Sequence, residues 1–300
     1  MYLYHFGLGE LPFTLTPNTN FYLPMAMHDE ALAVISIALQ TGEGFIKVVG
    51  EVGTGKTLLC RKLLNEIPEH FVTAYIPNPY LNPDELRRAV AVELGIKQAQ
   101  RISAQLLTQR IQTRLLELHS QGHSVVLILD EAQALPEDSL EALRLFTNLE
   151  TETRKLLQVV LFAQPELDER LAKTEFRQLR QRITFGYKLR VMNAHEVQQY
   201  IHHRLEVAGY KGVELFPVKT CQKIARVSQG VPRLVNVLCH KMLMLAYGQG
   251  HYKMTNTLLK AAVEDTESIE PTSKRSLFIV LSFGVLSVLS LAYYALLVKL

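Results

Sequence analysis

One glycine-rich octet, Gly50-Glu51-Val52-Gly53-Thr54-Gly55-Lys56-Thr57, constrains the fold of this chain more than any other feature. It stands between a short apolar run from Gly44 to Gly50, which has the pattern of a buried strand, and a helical pattern that begins near Lys56. With the spacing GxxxxGK[ST], the glycines let consecutive backbone N–H groups turn inward as a nest. The N-terminus of the following helix adds its partial positive charge. A phosphate chain fits such a nest, with Lys56 holding the β and γ groups as a point charge and Thr57 offering a hydroxyl to Mg²⁺. All eight residues are therefore candidates for nucleotide binding.

The remainder of the first 190 residues agrees with that unit. FVTAYI from Phe71 to Ile76, SVVLILD ending at Asp130, LLQVVLFAQ ending at Gln164 and ITFGYKL from Ile183 to Leu189 read as strands. The most aliphatic of them suit central parallel strands covered on both faces. Helices fall between: one capped by Asn82 with Pro83 at its first position and running to about Leu94, another from Ser103 toward Leu118. Strands alternating with helices predict an α/β fold with a doubly wound parallel sheet. Beyond Leu189 only helix signals remain. Asn193 and Glu196 form a capping-box pattern for a helix to about Val207, followed by Pro217 to Ser228, Pro232 to Tyr247 and Thr255 to about Val263. The expected organisation is a nucleotide-binding α/β domain over 1–190, a small helical lid domain over 191–264, a polar linker over 265–276 and a transmembrane helix over 277–298.

Asp130 and Glu131 end the most hydrophobic strand. In open α/β sheets ligands bind outside the carboxyl ends of the strands, the edge from which the glycine loop also leaves. Asp130 is then placed to support Mg²⁺, and Glu131 to orient or deprotonate an attacking water in phosphoryl transfer. Two motifs meeting at one edge argue for a triphosphatase far more strongly than either alone.

Charge and composition narrow the partners. With 32 Lys+Arg against 29 Asp+Glu the net charge is only +3, well short of the excess that announces an obligatory nucleic-acid partner. Three scattered cysteines, Cys60, Cys221 and Cys239, form no disulfide framework and no CxxC pair, which suits a reducing compartment. The N-terminus lacks the basic and apolar regions of a secretory signal. From Leu277 to Val298, by contrast, 22 residues carry no charge, enough for a helix to span about 30 Å of hydrocarbon. Lys274 and Arg275 precede this stretch and Lys299 follows it, so the positive-inside rule places the preceding residues in the cytoplasm. His195-Glu196 begins like HExxH, but position 199 is Gln, so no zincin helix is present. Neither Ser228 nor Ser273 lies in a nucleophile elbow.

GEVGTGKT, LILDEAQ, the strand ending at Gln164, RQLRQRI and GVPR resemble, in that order, Walker A, Walker B, sensor 1, the arginine-finger region and sensor 2 of AAA+ ATPases. HFGLGELPFTLTPNTNFY and HDEAL are similar to the ExeA/GspA group of secretion ATPases, over nearly the whole chain before the apolar stretch. Within the group the chain resembles the branch serving mannose-sensitive haemagglutinin (MSHA) pilus biogenesis, in ending soon after the hydrophobic helix. ExeA-like proteins continue into a periplasmic peptidoglycan-binding domain, which this resemblance does not lead one to expect here. The resemblance implies that Gln164 senses the γ-phosphate, where Asn is more usual, and that Arg180 or Arg182 serves a neighbouring subunit as arginine finger. It also implies that Arg233 couples nucleotide to lid position. A homo-oligomer joined through ATP sites, anchored in the inner membrane with its ATPase domain in the cytoplasm, is the expected assembly. Its task would be to hydrolyse Mg-ATP and assist a type IV (MSHA-like) pilus or a type II secretion apparatus. Two other readings stay open: a nucleotide-dependent assembly scaffold without essential turnover, and a DNA-handling ATPase of the transposition or loader type.

Overall fold

A computed structural model describes residues 2–267 apart from 17, 98, 147–149 and 151–154. Five strands, β1 (Phe45–Gly50), β2 (Phe71–Ile76), β3 (Ser124–Leu129), β4 (Leu157–Ala163) and β5 (Ile183–Leu189), form one sheet in the order β2-β3-β4-β1-β5. Every neighbouring pair is parallel. Because both faces are covered, alternate residues of one strand enter different cores. Val125, Leu127 and Leu129 of β3 join one cluster while Val126 and Ile128 join the other.

Around the sheet run α1 (Tyr2–Phe6), α2 (Ala26–Gln40), α3 (Lys56–Glu66), α4 (Pro83–Glu93), α5 (Ala104–Ser120), α6 (Glu137–Phe146), α7 (Glu166–Ala172) and α8 (Arg177–Arg182). Helices α4 to α7 cover one face and α2 with α3 the other. The helix starting at Pro83 has the geometry its sequence predicts. Asn82 accepts from the N–H groups of Asp84 and Glu85, and the Glu85 carboxylate returns to the Asn82 N–H at 2.9 Å.

Four further helices, α9 (Ala194–Val207), α10 (Val218–Val227), α11 (Pro232–Gly248) and α12 (Asn256–Glu264), pack around a third core. Asn193 and Glu196 form the expected capping box on α9. The N-terminal stretch joins this helical core rather than the sheet: Tyr2, Phe6, Leu8, Phe13, Phe21, Met25 and Met27 all belong to it. The Gly9 N–H fastens to the Ala208 carbonyl at 2.8 Å. The chain thus begins on this helical core, passes across to α2, builds the sheet and returns to the helical core after β5. The apolar stretch over 277–298 lies outside the described residues, and among the described residues no helix is long and apolar enough to cross a membrane.

Candidate active site

Register decides which side chains meet. Val49 of β1 lies level with Ala163 of β4, and Leu129 of β3 level with Leu161, so the glycine loop, the Asp130-Glu131 pair and Gln164 leave the sheet side by side. β4 lies between the other two strands, which puts Gln164 between the phosphate loop and the acids. A cavity of about 220 Å³ opens there.

The loop itself depends on glycine. Gly53 and Gly55 hold φ of +80° and +98°, a region in which a Cβ is strained. Gly50 closes β1, where an added Cβ would stand 2.8 Å from Thr54 Oγ1 and 2.9 Å from Leu189 Cβ. Thr54 is fully buried and its hydroxyl donates to the Glu51 carbonyl at 2.8 Å, tying the loop to itself. Lys56, only 5% exposed, directs its ammonium at the carbonyls of Gly50 (2.7 Å) and Glu51 (3.0 Å). Burial holds its pKa below the ordinary lysine value, opposed by the nearby charges of Glu131, Asp130, Glu51 and Glu166. A cation kept in this setting gains from any anion that enters.

Asp130 is buried, and burial raises its carboxyl above the usual carboxylate range. Two hydrogen bonds oppose the rise, one donated by the Thr57 hydroxyl and one by the Glu131 N–H at 2.9 Å. Among the described residues no group of three or more His, Cys, Asp or Glu side chains could hold a metal unaided. The paired hydroxyl and carboxylate are hard oxygen donors, few in number. That suits Mg²⁺, which keeps several waters and takes substrate phosphate oxygens beside one or two protein groups.

Glu131 sits in the left-handed region at φ +53°, an uncommon conformation for a residue with a side chain. Two amides hold its carboxylate. Gln164 Nε2 donates to Glu131 Oε2 at 2.9 Å, and Gln133 Nε2 donates to the same oxygen. Gln133 is itself fixed, its Oε1 accepting from the Gln164 backbone N–H at 2.9 Å and its carbonyl from Arg170 at 2.8 Å. The acid thus stands in a small polar frame built from the ends of β3 and β4.

Helices α9 and α11 line the other side. The Arg233 N–H at the start of α11 donates to the Gly53 carbonyl at 3.2 Å, and an added Cβ on Gly53 would come within 2.6 Å of Arg233 Cβ. Of the residues singled out from sequence, Val52, Gly53, Gly55, Lys56, Thr57, Glu131, Gln164 and Arg233 line the one cavity. Gly50, Glu51, Thr54 and Asp130 do not line it: Thr54 and Asp130 are buried, and the carbonyls of Gly50 and Glu51 accept from Lys56. Arg180 and Arg182, on α8, do not line it. Arg180 donates to the carbonyls of Leu171 (3.3 Å) and Ala172 (3.1 Å), and Arg182 to that of Arg144 (3.0 Å). Sequence reasoning missed Gln133, and it missed the wall formed by Thr14, Leu15, Thr16, Asn18, Tyr200, Arg204 and Asn236.

Residues 39–171 match the family of the AAA domain, a range that runs through β1, the glycine loop, Asp130, Glu131 and Gln164. The stretch similar to the AAA domain therefore contains the site. Over 288 residues the chain is 39% identical to general secretion pathway protein A of Aeromonas hydrophila, covering 95% of this chain and 52% of that protein. It spans about half the length of that relative. Among solved structures, Cdc6p of Pyrobaculum aerophilum has a TM-score of 0.63 at 18% identity, covering 85% of this chain and 70% of its own. The ORC2 protein of Aeropyrum pernix has 0.62 at 18% identity, covering 87% and 74%. A Walker-type ATPase of Pyrococcus abyssi has 0.56 at 16% identity, covering 93% and 79%. These three likenesses show a shared fold.

Proposed function

We propose that the chain is an AAA+ ATPase of the general secretion pathway protein A type, which binds and hydrolyses Mg-ATP. The observation that carries this reading is the meeting of Lys56, Thr57 and the framed Glu131 carboxylate on one cavity, with buried Asp130 accepting from the Thr57 hydroxyl. The glycine loop and Lys56 bind the phosphate chain, and Glu131, oriented by Gln133 and Gln164, accepts a proton from the attacking water. Thr57 and Asp130 would hold Mg²⁺, which when bound neutralises charge on the phosphate oxygens. Gln164 is placed to feel the γ-phosphate, and Arg233 to pass nucleotide state to the lid through its contact with Gly53.

Arg180 and Arg182 lie on a short helix and do not line the cavity of their own chain, Arg180 being exposed. Both fit a role at the ATP site of a neighbouring copy in a homo-oligomer. The apolar stretch over 277–298 anchors the protein in the inner membrane with the AAA domain in the cytoplasm. Its partners are the assembly proteins of a type IV pilus of MSHA type or of a type II secretion apparatus, the former by the resemblance noted above, the latter supported by the Aeromonas relative.

Phosphate release from ATP in the presence of Mg²⁺ tests the enzymatic claim. Wild-type protein should turn over, Lys56→Ala should fail to bind, and Glu131→Gln should bind without turnover; equal rates in all three would overturn it.

A further inference from the structure

Of the four tyrosines exposed among the described residues, Tyr4, Tyr80, Tyr247 and Tyr252, three stand at one end of the helical core. A strip of α11 gathers them. Met244, 53% exposed, comes four residues after His240 and three after Lys241, so on a helix it lies on the turn that follows both, and Tyr247 stands one turn further on. Helix α1 runs along one flank of that strip. The Tyr2 hydroxyl and His240 Nδ1 share a hydrogen bond of 3.0 Å, and the His5 ring meets that of Tyr247 edge-on at 5.5 Å. His5 also stacks on Tyr252 at 4.1 Å, and its Nε2 donates to the His251 carbonyl at 3.1 Å, so these rings have a fixed mounting. Tyr4, beside His5 on α1, is 97% exposed.

The chain leaves on the other flank. Lys241 Nζ pairs with the carboxylate of Asp265 at 2.8 Å, immediately after α12, and the described residues end at Glu267. From Glu267 to Leu277, where the uncharged stretch begins, the backbone reaches at most about 35 Å when fully extended. A folded body of about 260 residues is roughly 45 Å across. A bilayer entered at Leu277 therefore cannot lie against the face opposite Asp265; it lies on the side that carries the aromatic strip.

We propose that this end of the helical core, centred on Tyr4, Met244, Tyr247 and Tyr252, sits in the headgroup layer of the membrane. The proposal depends on the reading of 277–298 as a membrane anchor. Tyrosine suits that layer because its ring leaves water while its hydroxyl keeps a hydrogen-bonding partner. Lys253, exposed next to Tyr252, adds a cation that anionic headgroups attract. The nearby acids are neutralised within the protein, Asp265 by Lys241 and Glu264 by Lys260. Arg233 at the nucleotide cavity and Tyr247 at the lipid are both on α11, about 21 Å apart along its axis, so one helix joins the two.

Full-length protein in nanodiscs of phosphatidylethanolamine and phosphatidylglycerol, part of the lipid carrying a nitroxide on its headgroup, tests this. Cys60, Cys221 and Cys239 are buried, so a fluorophore attaches at one introduced cysteine. Probes at Tyr4→Cys and Tyr252→Cys should lose most of their emission to the nitroxide lipid, while a probe at Tyr80→Cys, on the loop after edge strand β2, should keep it. A probe at Met244→Cys separates contact from mere nearness. It should be quenched too, and the quenching should be relieved by Tyr4→Asp and relieved further when Tyr252→Asp is added. Equal quenching at all three tyrosine positions, or quenching at Met244→Cys that the aspartates leave unchanged, would overturn the proposal with the anchor intact. Shielding of the Tyr4→Cys and Tyr252→Cys probes in native membranes but not in pure lipid would assign the strip to a protein partner and overturn it as well. Failure of the protein to enter nanodiscs would overturn the anchor reading along with it.

Discussion

Replacing Gly53 by alanine puts a methyl group where the phosphate loop and the lid touch. At φ +80° the new Cβ meets a left-handed backbone, which costs about 1–2 kcal/mol for a residue with a side chain. The methyl would also lie 2.6 Å from Arg233 Cβ and 3.2 Å from Val231 Cγ1. Arg233 Cβ is anchored to its backbone and cannot swing aside as a chain end could, so overpacking adds roughly 1–3 kcal/mol. The protein relieves the clash by moving the start of α11 off the loop, breaking the bond from the Arg233 N–H to the Gly53 carbonyl. Even the low sum, about 2 kcal/mol, corresponds to a roughly 30-fold loss of Mg-ATP affinity if it falls on the closed, nucleotide-binding state. Titration calorimetry on Gly53→Ala, Arg233→Gly and the double variant reads this directly. Because Arg233→Gly removes the opposing Cβ, the two losses should be strongly non-additive, with a coupling on the order of 1–3 kcal/mol. A Gly53→Ala protein that binds within about threefold of wild type, or strictly additive losses, would refute contact between lid and loop as a determinant of affinity.

Gln133→Ala removes one of the two amides on Glu131; a hydrogen bond to a charged group is worth about 1.5–3 kcal/mol, so kcat should fall about 10- to 100-fold while KM changes little. A Gln133→Ala enzyme with wild-type kcat would remove that residue from the positioning frame. For Asp130 the folded-state pKa lies above the unfolded one, so the stability its protonation contributes is lost as pH rises from the ordinary carboxylate range through the raised value. Asp130→Asn lacks that slope and should melt higher than wild type at neutral pH without ligand, yet fail to hydrolyse ATP; thermal melts across pH check it. The full-length protein should stay with membranes under alkaline carbonate while a chain ending at 276 is released, as membrane fractionation will show.

The parts legible in the sequence are those written in contiguous residues. Five aliphatic runs bounded by turn residues place the strands, and the octet from Gly50 to Thr57 names its own chemistry because nest, lysine and hydroxyl come from one loop. The helices α6 to α8 were harder to foresee. Helices α7 and α8 are only seven and six residues long, too short for a helical period to show, whereas α6 does carry one, which sets Leu140, Leu143 and Phe146 on the sheet cluster and went unread. Gln133 was hidden because its role depends on the left-handed turn at Glu131, which brings an ordinary amide back onto the acid two positions earlier. Arg204 and Asn236 were hidden for another reason. Their partners are main-chain carbonyls 192 and 222 positions away, and a carbonyl leaves no trace in sequence.

The central claim is that the cavity between the glycine loop, the Asp130-Glu131 pair and the lid holds a nucleoside triphosphate. Titration calorimetry of Glu131→Gln with ATP and Mg²⁺ tests it most directly, since that variant keeps the cavity and stops turnover from consuming the ligand. Saturable binding of one ATP per chain, abolished when Lys56→Ala is added, is the predicted result. An absence of saturable binding by well-folded Glu131→Gln protein, or binding that survives Lys56→Ala undiminished, would contradict the account.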